Sequence, residues 1–172
     1  MVAIMAFGLA AVIAGQRLIE LCIARRNRRY IESIGGQEAG AGHYPLFFAL
    51  HGGWLAGWIY EAISTGGLSG NWPVWLGLFV LAQGLRYWCM LSLGRFWNTR
   101  IFVVPGQRRV KTGPYRFIAH PNYLAVCIEL ACVPLLFNAG ATALAASLVN
   151  ALLLGAVRIP AEERALRQLQ NS

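Results

Sequence analysis

The sequence predicts an all-α integral membrane protein of five transmembrane helices, with a small cytosolic loop and a C-terminal helix that together form a polar pocket. Three observations carry this. Apolar residues make up 57% of the 172 and charged residues 13%, against roughly 45–50% and about 25% in a soluble domain, which leaves too little polar surface to cover a soluble core. The apolar residues fall into five stretches near the roughly 20 residues that a membrane crossing requires. The basic residues cluster in alternate connections between those stretches, the distribution of cytoplasmic loops.

The first stretch, 1–24, is apolar from its start and ends in Arg25, Arg26, Arg28 and Arg29. It has neither a basic leader nor a small-residue cleavage site, so it reads as a retained helix and not a signal peptide. The second and third, 44–64 and 72–93, are joined by an uncharged turn. A polar loop, 94–121, carries Arg95, Arg100, Arg108, Arg109, Lys111 and Arg116. The fourth and fifth, 122–137 and 139–157, are separated only by a short turn at Phe137-Asn138-Ala139-Gly140, so they are antiparallel neighbours, and Pro134 shortens or kinks the fourth. Arg164 and Arg167 follow. Placing the three basic segments in the cytosol puts the N-terminus outside and the C-terminus inside. That topology accounts for most of the net charge of +8, and nucleic acid is not an expected partner. The chain reads as one domain, 1–172, with three helices in 1–93 and a cofactor-binding loop, helical hairpin and tail in 94–172.

Ionisable groups inside the spans must face the bundle or snorkel. Arg17 and Glu20, three apart, are expected to pair on one helical face. Glu129 is expected to meet Arg86 or a bound cation. Trp54, Trp58, Trp72 and Trp75 suit an aromatic belt at the outer interface. Cys22, Cys89, Cys127 and Cys132 form no CxxC pair and read as small core residues.

Most polar residues able to form a site lie in the 94–121 loop and the tail. Ile101-Phe102-Val103-Val104, the turn at Pro105-Gly106-Gln107 and the stretch from Val110 read as a hairpin resting on the membrane. Pro121 after His120 is a helix start, with backbone N–H groups free for an anion. Pro160 suits a second start, with Glu162 and Glu163 in its first turn complementing the helix dipole.

The stretches Gly113-Pro114-Tyr115-Arg116 and His120-Pro121-Asn122-Tyr123, with the later Glu162-Glu163 pair, resemble the isoprenylcysteine carboxyl methyltransferase family, and Gly42-His43-Tyr44-Pro45 with Leu50-His51 is similar to its small bacterial members, often associated with type III polyketide synthases and long-chain alkylpyrone or alkylresorcinol acceptors. The family signature reads Arg-His-Pro-x-Tyr-x-Gly, then an apolar stretch and a Glu-Glu pair; here Ala119 replaces the Arg and Ala125 the Gly. The resemblance implies an S-adenosylmethionine-dependent membrane enzyme, placed in a prokaryotic cell (inner) membrane with its site on the cytosolic side. It also implies that His120, Tyr123 and the Glu pair contact the cofactor.

The chemistry of the residues agrees. No strand followed by GxGxxG is present, so the soluble dinucleotide-type fold is absent. The cofactor carboxylate suits the helix start at Pro121 and Asn122 with His120, its ammonium suits Glu162 or Glu163, and its sulfonium suits the face of Tyr115 or Tyr123. Arg158 is the candidate for holding the acceptor oxygen, with Glu162 beside it in a catalytic role. The acceptor is expected to be a lipophilic or prenylated molecule reached from the bilayer, methylated on a carboxylate or on a phenol or enol. Two other readings stand beside this one. A sterol-type reductase using NADPH would set the 2′-phosphate on Arg108, Arg109 and Lys111, although a Glu pair is poorly placed near a polyphosphate. In a non-enzymatic lipid-binding protein both motifs would be plain helix starts.

Overall fold

The computed structural model describes residues 1–107 and 109–170, the last three by backbone alone. The chain runs through α1 (Val2–Ser33), β1 (Gln37–Ala39), α2 (Tyr44–Thr65), α3 (Trp72–Leu93), β2 (Ile101–Val103), α4 (Pro121–Leu136), α5 (Gly140–Leu152), a π-helical segment (Leu153–Arg158) and α6 (Ile159–Gln170). Pro stands in the first turn of α2, α3 and α4, where its missing N–H is no loss. The first helix outruns its apolar stretch, because the arginine cluster continues it to Ser33 and Arg28 Nε pairs with Glu32 one turn on at 2.7 Å.

The stretches Val2–Ser33, Trp72–Phe96 and Gly140–Arg167 are long and apolar enough to cross a membrane. α4 is apolar but has 16 residues. In α2, His51, Glu61 and three glycines lower the hydropathy.

α4 packs against α2, α3 and α5, and Pro134 does not break it. A proline at 134 deprives the Leu130 carbonyl of its helical donor; the Trp54 indole N–H from α2 supplies one at 3.0 Å. Trp58, fully buried, stacks on Phe137 with centroids 5.3 Å apart. Trp54 and Trp58 are therefore core residues and not belt residues, because the face of α2 that carries them is turned to α4. Of the cysteines only Cys89 and Cys132 are buried, while Cys22 and Cys127 are exposed on outer faces.

Glu61 of α2 accepts hydrogen bonds from the backbone N–H groups of Ala141 and Thr142 at 3.2 and 2.7 Å and from the Thr142 hydroxyl. It caps α5 from a neighbouring helix, with a carboxylate at the positive end of the dipole. Inside the bundle, Arg17 pairs with Glu20 at 2.7 Å and Glu129 at 2.5 Å, and Arg86 with the same two at 2.8 and 3.4 Å. Glu129 thus meets both arginines, and the four charges balance.

Among the described residues, the hairpin expected within the 94–121 loop is not formed. β2 pairs antiparallel with β1, in the register Gln37↔Val103, Glu38↔Phe102, Ala39↔Ile101. Ile101 and Val103 bury one side of the strand, and its edge is taken by the loop after α1. Arg100 Nη1 to Glu38 at 2.7 Å ties the two loops together.

Candidate active site

A cavity of about 620 Å³ lies where the start of α4, the π-helical segment, β2 and the start of α2 meet, within the roughly 300–1,000 Å³ of small-molecule sites. Tyr115, His120, Asn122, Tyr123, Arg158 and Glu162 all line it.

Tyr115 stands on a 3₁₀ turn, Gly113–Arg116. Gly113 has φ +55°, and a Cβ there would lie 2.0 Å from Ser92 Oγ; only glycine lets this turn sit on α3. Burial, and after it the neighbouring Cys89 thiol, holds the Tyr115 phenol well above its ordinary range, so it stays protonated. His120 precedes the first turn of α4, its carbonyl accepting from the Tyr123 and Leu124 N–H groups. Its ring stacks on Tyr123, centroids 5.2 Å apart and planes 13° from parallel.

Tyr123 joins α4 to the tail. Its hydroxyl donates to Glu162 Oε2 at 2.5 Å, a short bond of the charge-assisted kind, and accepts from Arg158 Nε at 3.0 Å. Arg158 Nη2 donates to the Thr99 carbonyl at 2.9 Å, and the guanidinium lies 5.7 Å from the Phe47 ring centroid. Glu162 Oε1 is 3.7 Å from His120 Nδ1. Burial first, then Arg158, depresses the pKa of His43 at the start of α2, leaving it neutral at pH 7.

Arg158 reaches this position through a change of helix type. Pro160 was expected to open a new helix, but the helix is continuous from Gly140 into the tail. Pro160 has no N–H for the carbonyl four residues back, and the wider π turn over Leu153–Arg158 accommodates the mismatch. Glu162 therefore faces no free helix start, and its partners are Tyr123 and His120.

The two glutamates part company. Glu163 is turned toward Arg167, 3.5 Å away, and is not in the cavity wall. Pro121 is buried at the head of α4 and sets the backbone without lining the cavity. Arg109 lines the wall; Arg108 lies outside the described residues. The reading of the sequence assigned no role to Trp97, Thr99, Phe47 or His51, all in the wall. A Trp in a polar loop was the available signal for the first. For Thr99 and Phe47, nothing local distinguishes a wall position from a lipid-facing one; for His51 the signal was the resemblance carried by the Leu50-His51 segment.

Three polar atoms of the wall have no hydrogen-bond partner among the described residues although they are buried: Asn122 Oδ1 and Asn150 Oδ1, both acceptors, and Trp97 Nε1, a donor. Buried polar groups are rarely left so. Together with a carboxylate, three stacked or clustered aromatic faces and a guanidinium, they fit a ligand that is polar, part cationic and aromatic.

Residues 75–168 match the model of the isoprenylcysteine carboxyl methyltransferase (ICMT) family. The chain is 39% identical over 163 residues to the uncharacterized protein YpbQ of Bacillus subtilis (strain 168), covering 93% of this chain and 95% of that one. It is 28% identical over 162 residues to an uncharacterized protein of Haemophilus influenzae, covering 92% and 93%. No solved structure matches the chain.

Proposed function

Because the chain belongs to the isoprenylcysteine carboxyl methyltransferase family, whose members are S-adenosylmethionine-dependent methyltransferases of membrane substrates, we propose that it methylates an oxygen of a lipophilic acceptor with S-adenosylmethionine. The observation that carries this reading is the meeting of Tyr115, His120, Asn122, Tyr123, Arg158 and Glu162 in one cavity that continues between apolar helix walls.

S-adenosylmethionine supplies an electrophilic methyl group on a sulfonium. The residues do the rest. Glu162 takes the ammonium, the head of α4 with His120 takes the carboxylate, and the faces of Tyr115 and Tyr123 take the positive sulfur. Asn122 Oδ1 and Trp97 Nε1 offer an acceptor and a donor to the remaining polar edges. Arg158 faces the acceptor oxygen while holding Tyr123 and the Thr99 carbonyl. With a reactive methyl donor, catalysis reduces to alignment and exclusion of water, which a rigid hydrogen-bonded wall provides.

The same reading places five spans in a bacterial cell membrane with the cavity mouth in the cytosol and the acceptor arriving sideways from the bilayer. The test is thermal shift of the purified protein with S-adenosylmethionine, S-adenosylhomocysteine and NADPH. Stabilisation by the first two is expected, and stabilisation by NADPH alone would refute the proposal.

A further inference from the structure

Near its C-terminal end α1 carries one buried polar residue in the middle of an arginine cluster. Asn27 stands in Arg25-Arg26-Asn27-Arg28-Arg29 and is 3% exposed. With Glu20, Ala24 and Ile31 it forms the buried face of this part of the helix, at the spacing of a single helical face. Asn is a poor residue for a helix interior, because its amide seeks other backbone groups. Its position here is explained by the groups that the amide meets.

Those groups belong to the loop after α3. Asn27 Nδ2 donates to the Trp97 carbonyl at 2.7 Å and to the Gly94 carbonyl, at the end of α3, at 3.2 Å. Asn98 Nδ2 returns a bond to the Ala24 carbonyl of α1 at 2.9 Å, and Asn98 Oδ1 accepts from the Arg100 N–H at 3.0 Å. The loop is thus tied to α1 on both sides of the Trp97-Asn98 peptide. From there hydrogen bonds lead into the site. The Thr99 carbonyl accepts from Arg158 Nη2 at 2.9 Å, Arg158 Nε donates to the Tyr123 hydroxyl at 3.0 Å, and that hydroxyl donates to Glu162 at 2.5 Å. Trp97, whose buried indole N–H has no partner among the described residues, hangs on the same loop in the cavity wall.

Resting on the methyltransferase reading above, we propose that Asn27 is a positioning residue for S-adenosylmethionine: it fixes residues 97–99 so that the Thr99 carbonyl aims Arg158, and Arg158 aims the Tyr123 hydroxyl at Glu162. Asn27 does not line the cavity, so it acts through the loop. It also stands outside residues 75–168, the part of the chain that matches the family. The matched segment carries the motif of the site, and the helix before it sets the loop on which Arg158 rests. Without the Asn27 amide the Trp97 carbonyl has no donor among the described residues, and a buried carbonyl is rarely left so. The peptide then moves to find one, and the Thr99 carbonyl two residues on moves with it. A hydrogen bond to a guanidinium weakens as its angle and length depart from the best values.

The test is calorimetric titration of the full-length protein in detergent with S-adenosylhomocysteine, alongside thermal denaturation of each variant. Asn27→Asp keeps the shape of the side chain but turns a carboxylate, which has no donor, toward two carbonyl oxygens. It should weaken affinity about tenfold. Arg158→Ala should weaken it as well, and the double variant Asn27→Asp/Arg158→Ala should bind within about twofold of Arg158→Ala alone, because the route is already cut. Phe137→Leu disturbs the stack on Trp58 at the other end of α4, about 24 Å from Pro121; it should lower thermal stability and leave affinity unchanged. Wild-type affinity in a folded Asn27→Asp would reduce Asn27 to a packing role and overturn the proposal. Losses that multiply in the double variant would show that Asn27 does not act through Arg158, and an equal loss in Phe137→Leu would trace the effect to instability; either overturns it too. Should Asn27→Asp fail to fold, Asn98→Ala, which removes the tie to Ala24 from the side of the loop, decides in the same cycle. Failure of the wild type to bind S-adenosylhomocysteine refutes the methyltransferase reading itself and is seen before any variant is made.

Discussion

Tyr123 is the residue through which the two halves of the site are joined, since its hydroxyl receives Arg158 and reaches Glu162. Tyr123→Phe, Glu162→Gln and His120→Ala should each weaken S-adenosylmethionine binding by about 1.5–3 kcal/mol, the worth of a charge-assisted contact. Glu163→Gln should leave affinity within about twofold, because that carboxylate is turned to Arg167 and away from the cavity. Calorimetric titration of the four variants checks both statements; a strong loss in Glu163→Gln alone would assign the contact to the other glutamate. Arg158 holds Tyr123 and Thr99, and in the function proposed above it also takes the acceptor oxygen. Arg158→Ala should therefore lower methyl transfer about 10²–10³-fold, as removal of a charge-stabilising donor does, and also loosen cofactor binding. Arg158→Lys keeps the charge without the planar fork and should lose about tenfold, measured in single-turnover assays.

Two prolines in helices show how an element absorbs a missing donor. At Pro134 the orphaned Leu130 carbonyl is satisfied from outside by Trp54, and α4 stays straight enough to pack on three neighbours. At Pro160 the helix itself widens into a π turn. That turn decides which side of the helix Arg158 and Glu162 occupy, because one residue more or less per turn rotates all that follows by about 100°. Pro160→Ala restores an N–H and favours the regular α-helix, so its thermal stability should equal or exceed that of the wild type while affinity for S-adenosylmethionine falls about tenfold or more. Unchanged affinity would mean that the π turn is not what aims Arg158.

At the scale of the whole molecule, the Arg17, Glu20, Arg86 and Glu129 cluster ties α1, α3 and α4 where ions are costly. Glu129→Ala leaves two arginines to a single Glu20, and breaking such a pair costs about 3–5 kcal/mol. The double variant Arg17→Leu/Glu129→Leu keeps the Arg86 to Glu20 pair and a balanced charge, so it should regain at least half of that loss in thermal denaturation in detergent. The orientation is tested in a background with the four cysteines replaced. Single cysteines placed at 100–107 should be labelled only after the cytosolic side is opened, and those at 66–70 from outside; the reverse pattern would invert the topology.

Helix positions are legible in the chain because each depends on the local length of an apolar run and on Pro at its first turn, as in α2, α3 and α4. The residues that meet in the cavity are partly legible for a similar reason: Tyr115, His120, Asn122 and Tyr123 are close in sequence, and Glu162 belongs to the one pair of adjacent acidic residues in the chain, Glu162-Glu163. The rest was decided by which helix faces meet. Nothing local tells that β2 pairs with the loop after α1, that Trp54 and Trp58 turn inward, that Glu61 caps α5, or that Glu162 and not Glu163 meets Tyr123. Each of these is a contact between residues far apart in the chain, and its energy exists only once the helices have packed.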